Sequence, residues 1–161
     1  MATSSSTAVS AQKSHAGRAI LWGGLIAGAC DITYAIVSNM QRGGAWDRTL
    51  QSVASGWMGG AAFQGGMPAA ALGLASHFLI AFIWATLFYV VTRAWKPLGQ
   101  NPWLSGPLYG ALVYVMMNRV VVPLSAAPFK IPLVTTGLLV HMFLVGLPIA
   151  LALNKSEKVK A

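Results

Sequence analysis

Four long apolar runs organise this chain, and short polar segments separate them. Each run is close to the ~20 residues that a helix needs to cross a ~30 Å hydrocarbon core. The apolar residues are continuous rather than alternating, which favours helices over barrel strands. The pattern predicts an all-α fold in which residues 18–154 form one membrane domain, a four-transmembrane-helix bundle. The predicted spans cover residues 19–40, 69–92, 103–124 and 132–153.

Composition supports a membrane protein and excludes a soluble one. Of the 161 residues, 56% are hydrophobic and only 9% are charged, whereas soluble domains carry roughly 25% charged residues. Cys30 is the single cysteine, so no intrachain disulfide can form. The sequence contains no nucleophile elbow, phosphate-binding loop or zinc-ligand spacing. Hydrolytic and nucleotide chemistry are therefore disfavoured, and we do not expect an enzyme.

The net charge of +8 is informative by position. Seven basic residues fall on the side of the chain termini and three on the opposite side. The positive-inside rule then places both termini in the cytoplasm, in a multi-pass protein of the inner (plasma) membrane. The basic tail, residues 155–161, suits anionic lipid, so the bilayer is the expected partner and nucleic acid is not. The two sets are Lys13, Arg18, Arg93, Lys96, Lys155, Lys158 and Lys160, against Arg42, Arg48 and Lys130.

Two segments lie outside the spans. Residues 1–17 are rich in Ser, Thr and Ala without periodicity, which predicts a disordered cytoplasmic tail. In the loop 41–68, apolar residues from Trp46 to Met58 recur at helical spacing. This predicts a short interfacial helix in the first outer loop, with Trp46 and Trp57 at headgroup depth. A plain Gly-rich loop is the alternative.

An internal repeat indicates two tandem helical hairpins. Spans one and three carry glycines four residues apart, and in spans two and four a glycine precedes a histidine by four residues. Coincidence is the alternative to duplication, because such spacing is common in membrane helices. Either way, small residues let helix backbones approach closely. The predicted packing glycines are Gly24, Gly28, Gly73, Gly106, Gly110 and Gly137.

Ionisable residues inside the spans are the candidate chemistry. Asp31, His77 and His141 each lie about 12–14 Å from the predicted outer boundary, at ~1.5 Å per residue. A charged group there costs about 2.5–3.5 kcal/mol on the insertion scale, so three at one depth indicate a shared site. Asp31 also falls on the glycine stripe of span one, where helices pack.

Further polar residues extend this predicted cluster. Gly110, Tyr114 and Asn118 share one face of span three, whereas Arg119 points away and is expected to snorkel to the headgroups. Pro148 is expected to kink span four and free the carbonyl of Leu144. The complete predicted cluster is Asp31, His77, Asn118, His141, Tyr34 and Tyr114.

Three interpretations of the cluster remain open. It could be structural, with each histidine bonded to a facing backbone or to Asp31 in an accessory bundle. It could relay protons or conduct a small solute, since a histidine and a carboxylate exchange protons near neutral pH. Alternatively, His77 and His141 could ligate a metal or a b-type haem, although no cofactor is firmly predicted. Four helices make a narrow pore, so a conducting form is expected to need a homo-oligomer.

Several of these features together resemble a known family. The Gly-x-x-x-Gly span, the His-bearing second span, and the passage from Asn118-Arg119 through Pro123 to His141 are similar to small bacterial inner-membrane proteins of the YagU-like type. The similarity covers residues 19–153 as a general pattern. It implies a four-span inner-membrane protein of uncharacterised activity.

Overall fold

The computed structural model describes the backbone of residues 3–158 and the side chains of residues 16–154. This part of the chain contains helices and no strand. Eight α-helical segments occur: α1 (Thr3–Gln41), α2 (Trp46–Met58), α3 (Gly66–Ala94), α4 (Lys96–Gln100), α5 (Pro102–Met116), α6 (Val122–Leu124), α7 (Thr135–Val140) and α8 (Leu147–Lys158). A 3₁₀ turn (Gly59–Gln64) follows α2, and two π-helical segments, π1 (Met117–Val121) and π2 (His141–Gly146), interrupt spans three and four.

Four helical stretches within residues 3–158 are long and apolar enough to cross a membrane, so the predicted fold class is confirmed. They are Ala16–Gln41, Gly66–Ala94, Pro102–Leu124 and Thr135–Asn154. The N-terminal segment differs from its prediction, because α1 already begins at Thr3. No Gly or Pro occurs in residues 3–16, so the hydrogen bonds of the first span can continue toward the N-terminus. Residues 3–17 are thus helical rather than irregular.

The four spans form a ring of antiparallel neighbours. α1 packs against α3 on one side and against α8 and π2 on the other, and α5 packs against π2 and α8. α3 and α5 meet through aromatic side chains, with the rings of Phe88 and Tyr109 4.6 Å apart. We call the end at which α1 begins and α8 ends the inner end. The opposite end, at which α2 lies, is the outer end.

The inner half of the ring has an apolar core. Ala27, Ala85 and Ile149 are fully buried there, and Phe88 and Val113 pack beside them. Small side chains on α1 face larger ones on α3 and α8, which lets the helices interdigitate. Asp31, His77 and His141 lie on the outer side of this core, whereas the buried hydroxyls of Thr92 and Ser105 lie at its inner end.

α2 confirms the predicted helix in the first loop, and it also packs into the bundle. Its buried face places Leu50 against Ile32 of α1 and Ala70 of α3. Trp57 stays 68% exposed, and its indole Nε1 donates to the Ser76 hydroxyl at 3.0 Å. One face of α2 therefore fills the outer gap between α1 and α3, while the opposite face remains exposed.

Both π segments come just before a proline. π1 ends two residues before Pro123, and π2 ends two residues before Pro148. A proline lacks an N–H, and its ring clashes with the carbonyl four residues earlier. A wider π turn moves that carbonyl away, so the helix can pass the proline. The kink expected at Pro148 takes the form of a π segment that begins at His141.

Candidate functional site

The predicted packing glycines lie at the contacts between spans, with the same register in both hairpins. A Cβ on Gly24 would meet the Phe82 ring, and one on Gly28 would meet Phe78 and Ala81. In the second hairpin, Gly106 faces Gly146 and Leu147, and Gly110 faces His141 and Met142. In the repeat, Phe82 corresponds to Gly146, and Phe78 corresponds to Met142. The corresponding glycines of the two hairpins therefore meet corresponding turns of the neighbouring span.

The glycines before the two histidines serve different neighbours. A Cβ on Gly73 would overlap the Leu50 carbonyl, so Gly73 makes room for the backbone of α2. A Cβ on Gly137 would lie 3.0 Å from the Tyr114 ring. Gly73 therefore accommodates a loop helix, whereas Gly137 accommodates a side chain from the neighbouring span.

Asp31 and His141 form the centre of the candidate site. The Asp31 Oδ1 lies 3.9 Å from the His141 Nδ1, and their side chains are only 22% and 19% exposed. Asp31 is one helical turn outward from the buried Ala27, so its carboxylate continues the interior face of α1. The carboxylate and the imidazole thus face each other on the outer side of the apolar core, at a distance that is longer than a hydrogen bond.

The hydrogen bond of His141 defines which ring nitrogen is free. Its Nδ1 lies 2.9 Å from the Gly137 carbonyl oxygen, and a carbonyl only accepts. The Nδ1 therefore carries the proton in the neutral ring, and Nε2 is left as an acceptor. Protonation of Nε2 would create an imidazolium beside the Asp31 carboxylate.

Tyr114 adjoins His141 and holds the start of span four. Its ring centroid lies 5.0 Å from that of His141. Its hydroxyl donates to the Val134 carbonyl at 3.0 Å and accepts from the Val134 N–H at 2.7 Å. These bonds pair the non-helical backbone just before α7, which would otherwise be costly in a membrane.

Span four begins deeper than predicted because of this contact. Gly110 touches His141, so these two residues lie at one depth. At ~1.5 Å per residue, Leu124 lies about 21 Å outward from Gly110 along its helix. Thr135 lies only about 9 Å outward from His141. α7 therefore starts about 12 Å below the outer end of α6. The predicted start at residue 132 is replaced by Thr135.

Asn118 lies one turn from Tyr114, on π1. Its Nδ2 donates to the Tyr114 carbonyl at 2.7 Å. Its Oδ1 is buried and has no hydrogen-bond partner among the described residues, although buried polar atoms are nearly always paired. π-helical segments are frequent at functional sites, and here they carry both Asn118 and His141.

His77 and Tyr34 make other contacts. The His77 Nε2 donates to the Gly28 carbonyl at 2.9 Å, which links α3 to α1, and its ring meets Phe78 edge-on. Tyr34 lines an open apolar groove with Cys30 and Leu144. Among the six predicted cluster residues, contacts join Asp31 to His141, His141 to Tyr114, and Tyr114 to Asn118. Arg119 is exposed, off the face of Gly110 and Tyr114.

The two histidines that were candidate metal or haem ligands bond different backbone carbonyls. Among the residues with described side chains, no group of three or more His, Cys, Asp or Glu could hold a metal ion. His77 and His141 each commit one nitrogen to a backbone carbonyl, the first at the α1–α3 contact and the second within its own helix.

Val134 and the two π segments are parts of the site that were not predicted from the sequence. The prolines at 123 and 148 were the available signal for the π segments, because each forces a local change in helix geometry. No signal marks Val134, whose role depends on the Tyr114 hydroxyl reaching it across 20 positions.

No protein-family model, curated protein or solved structure matches the chain. The YagU-like resemblance therefore stays a prediction, and function has to be inferred from the site.

Proposed function

We propose that this protein is an integral inner-membrane protein in which the Asp31–His141 pair exchanges protons within the bilayer. The single observation that carries the proposal is the 3.9 Å contact between the carboxylate and the imidazole, with both side chains about four-fifths covered. Ionisable groups at this depth are costly and commonly serve proton relays.

The orientation is proposed from the charges in the sequence. Basic residues concentrate at the inner end, which places both termini in the cytoplasm. The Asp31–His141 pair then lies closer to the extracytoplasmic side. A proton would reach it from that side, because the apolar core around Phe88 and Ile149 fills the cytoplasmic half.

The exchange can be written atom by atom. A proton arriving at the free Nε2 of neutral His141 gives an imidazolium, whose Nδ1–H then turns from the Gly137 carbonyl to the Asp31 carboxylate and transfers its proton. Asp31 releases that proton to water. The ring, now protonated at Nε2 alone, returns to its first tautomer by giving that proton to water and taking one at Nδ1. Since an N–H···O bond spans ~2.7–3.2 Å, the present 3.9 Å must shorten by about 1 Å during transfer.

The test is proton flux in reconstituted vesicles that enclose a pH-sensitive dye. We expect Asp31→Asn and His141→Gln each to slow the flux by about tenfold or more, because each removes a proton-exchanging group. His77→Gln is the matched control, since it changes the same residue type outside the pair and should leave the rate unchanged. Flux no greater than in empty vesicles, or equal flux in Asp31→Asn, would refute the proposal.

A structural, accessory role is the second candidate, and His77 favours it. Its bond to the Gly28 carbonyl ties α1 to α3 without using Asp31, as a packing histidine would. Under this alternative, Asp31→Asn would lower the melting temperature in detergent and no variant would alter flux. A conducting form is proposed to be a homo-oligomer, because the interior of one bundle is filled.

A further inference from the structure

We infer that a small cavity near the inner end of the bundle binds one water molecule and forms a second polar station, on the cytoplasmic side of the apolar core. The location in the proton path rests on the proposed function. The binding of the water itself does not.

The cavity lies where four segments of the ring meet. Phe88, Tyr89 and Thr92 contribute from α3, Gly99 from α4, Ser105 from α5, and Ala150, Leu153 and Asn154 from α8. Its volume is about 10 Å³, on a scale where one water molecule needs about 10–15 Å³. The cavity therefore has room for a single water and for little else.

The two hydroxyls of the lining have each used their one donor, and the Asn154 amide has used one of its two. The Thr92 hydroxyl donates to the Tyr89 carbonyl at 2.9 Å, and the Ser105 hydroxyl donates to the Asn101 carbonyl at 3.0 Å. The Asn154 Nδ2 donates to the Gly99 carbonyl at 2.7 Å. Lone pairs of these side-chain oxygens and one N–H of Asn154 remain for an occupant.

An occupant therefore meets mainly acceptors and has to donate hydrogen bonds, as a water molecule can. Thr92 and Ser105 are each 5% exposed, so bulk solvent scarcely reaches their hydroxyls. A buried water usually makes about three hydrogen bonds to such groups, and two hydroxyl oxygens with the Asn154 oxygen supply that number. None of the described lining residues is a carboxylate, so a neutral water fits better than a metal cation.

The position of the cavity links it to the Asp31–His141 pair. Ser105 lies one helical turn from Tyr109, whose hydroxyl is the one polar side-chain group among the described buried residues of the core around Phe88 and Ile149. The Tyr109 hydroxyl donates to the Trp84 carbonyl at 2.7 Å. Tyr109 thus supplies the one buried hydroxyl of the core that separates the Asp31–His141 pair from the inner cavity.

The water is tested without reference to transport. In the full-length protein in detergent, water ¹⁷O relaxation dispersion counts long-lived internal waters. We expect Thr92→Val with Ser105→Ala to lose one such water. Ser52→Ala is the matched control, because its hydroxyl also donates to a backbone carbonyl, at 2.7 Å, but lies on α2. An unchanged count in the double variant would overturn the site.

The path is tested separately by flux in vesicles. If the water relays protons, the double variant slows the flux by about tenfold while melting like the parent. Asp31-dependent flux that the double variant leaves unchanged would remove the cavity from the path and leave the proposed function standing. A missing water signal together with absent flux would refute both, and a detected water with absent flux would refute the proposed function only.

Discussion

The two helical hairpins of this bundle share one packing register, but their helix backbones approach each other more closely in the second hairpin than in the first. In the first, Gly24 and Gly28 receive the rings of Phe82 and Phe78. In the second, Gly106 and Gly110 meet backbone atoms directly, because Gly146 occupies the position that Phe82 has in the first. The same glycine spacing therefore gives a looser or a tighter helix pair according to the residue that faces it.

The contact between Asp31 and His141 is made at the more closely packed second hairpin. Close approach of α5 to π2 brings the Tyr114 ring to 5.0 Å from that of His141, and Asp31 then joins from α1. In the looser hairpin, the corresponding histidine bonds the Gly28 carbonyl across the interface. Packing alone therefore gives the two corresponding histidines different neighbours, the Gly28 carbonyl for His77 and the Asp31 carboxylate for His141.

The largest expected effect tests the close backbone contact between Gly110 and His141. Gly110→Ala would place a Cβ on the His141 carbonyl oxygen, which cannot move without shifting span four. We expect a loss of about 3 kcal/mol of stability, against about 1 kcal/mol for Gly24→Ala, since the Phe82 ring can rotate aside. Thermal melting in detergent measures both.

A third glycine supplies the control for that pair. A Cβ added at Gly60 would meet no neighbouring atom within 4 Å, so Gly60→Ala should stay within about 0.5 kcal/mol of the parent. Equal melting temperatures for Gly110→Ala and Gly24→Ala would contradict the proposed difference in closeness.

An intermediate effect is expected at the start of span four. Tyr114→Phe removes both bonds to Val134, at a cost of about 2 kcal/mol, and should speed amide hydrogen exchange at the start of α7.

The control is Ile32, which corresponds to Tyr114 in the repeat. Ile32 packs in one cluster with Ala70, the residue that corresponds to Val134. Ile32→Val should cost about 1 kcal/mol without changing exchange in α7. Unaltered exchange in Tyr114→Phe would show that α7 does not depend on that hydroxyl.

The smallest expected effect concerns His77. His77→Phe keeps a ring but loses the bond to the Gly28 carbonyl, and interhelical hydrogen bonds in membranes contribute about 0.6 kcal/mol on average. We expect a small drop in melting temperature and normal proton flux. A flux as slow as that of His141→Gln would place His77 in the site and erase the division of roles between the two histidines.

Much of the fold could be predicted from local pattern. The four spans were found because each apolar run is long enough to cross a bilayer, and α2 was found from its helical spacing between Trp46 and Met58. The glycine contacts followed from spacing as well, since small residues four apart form one face of a helix. The helical residues 3–17 were missed, because their composition lacks a periodic pattern.

The candidate site was harder to predict. Equal depth in the membrane suggested that Asp31, His77 and His141 share one place, but depth does not specify direction around the bundle. The position of His77 is determined by which face of α3 meets α1. Tyr34 likewise turns to the groove beside Cys30 and Leu144, a direction that the sequence of α1 alone does not contain.

The sequence by itself determined the all-α fold class with four long apolar helices, because length and hydropathy are properties of each run alone and do not depend on the rest of the chain. It also determined the repeat register of the glycines and the residues able to exchange a proton. Only the tertiary structure decided which histidine pairs with Asp31, where span four begins, and that a water-sized cavity lies at the inner end. Those features depend on distances between helices, and such distances are set by side chains that meet from far apart in the chain.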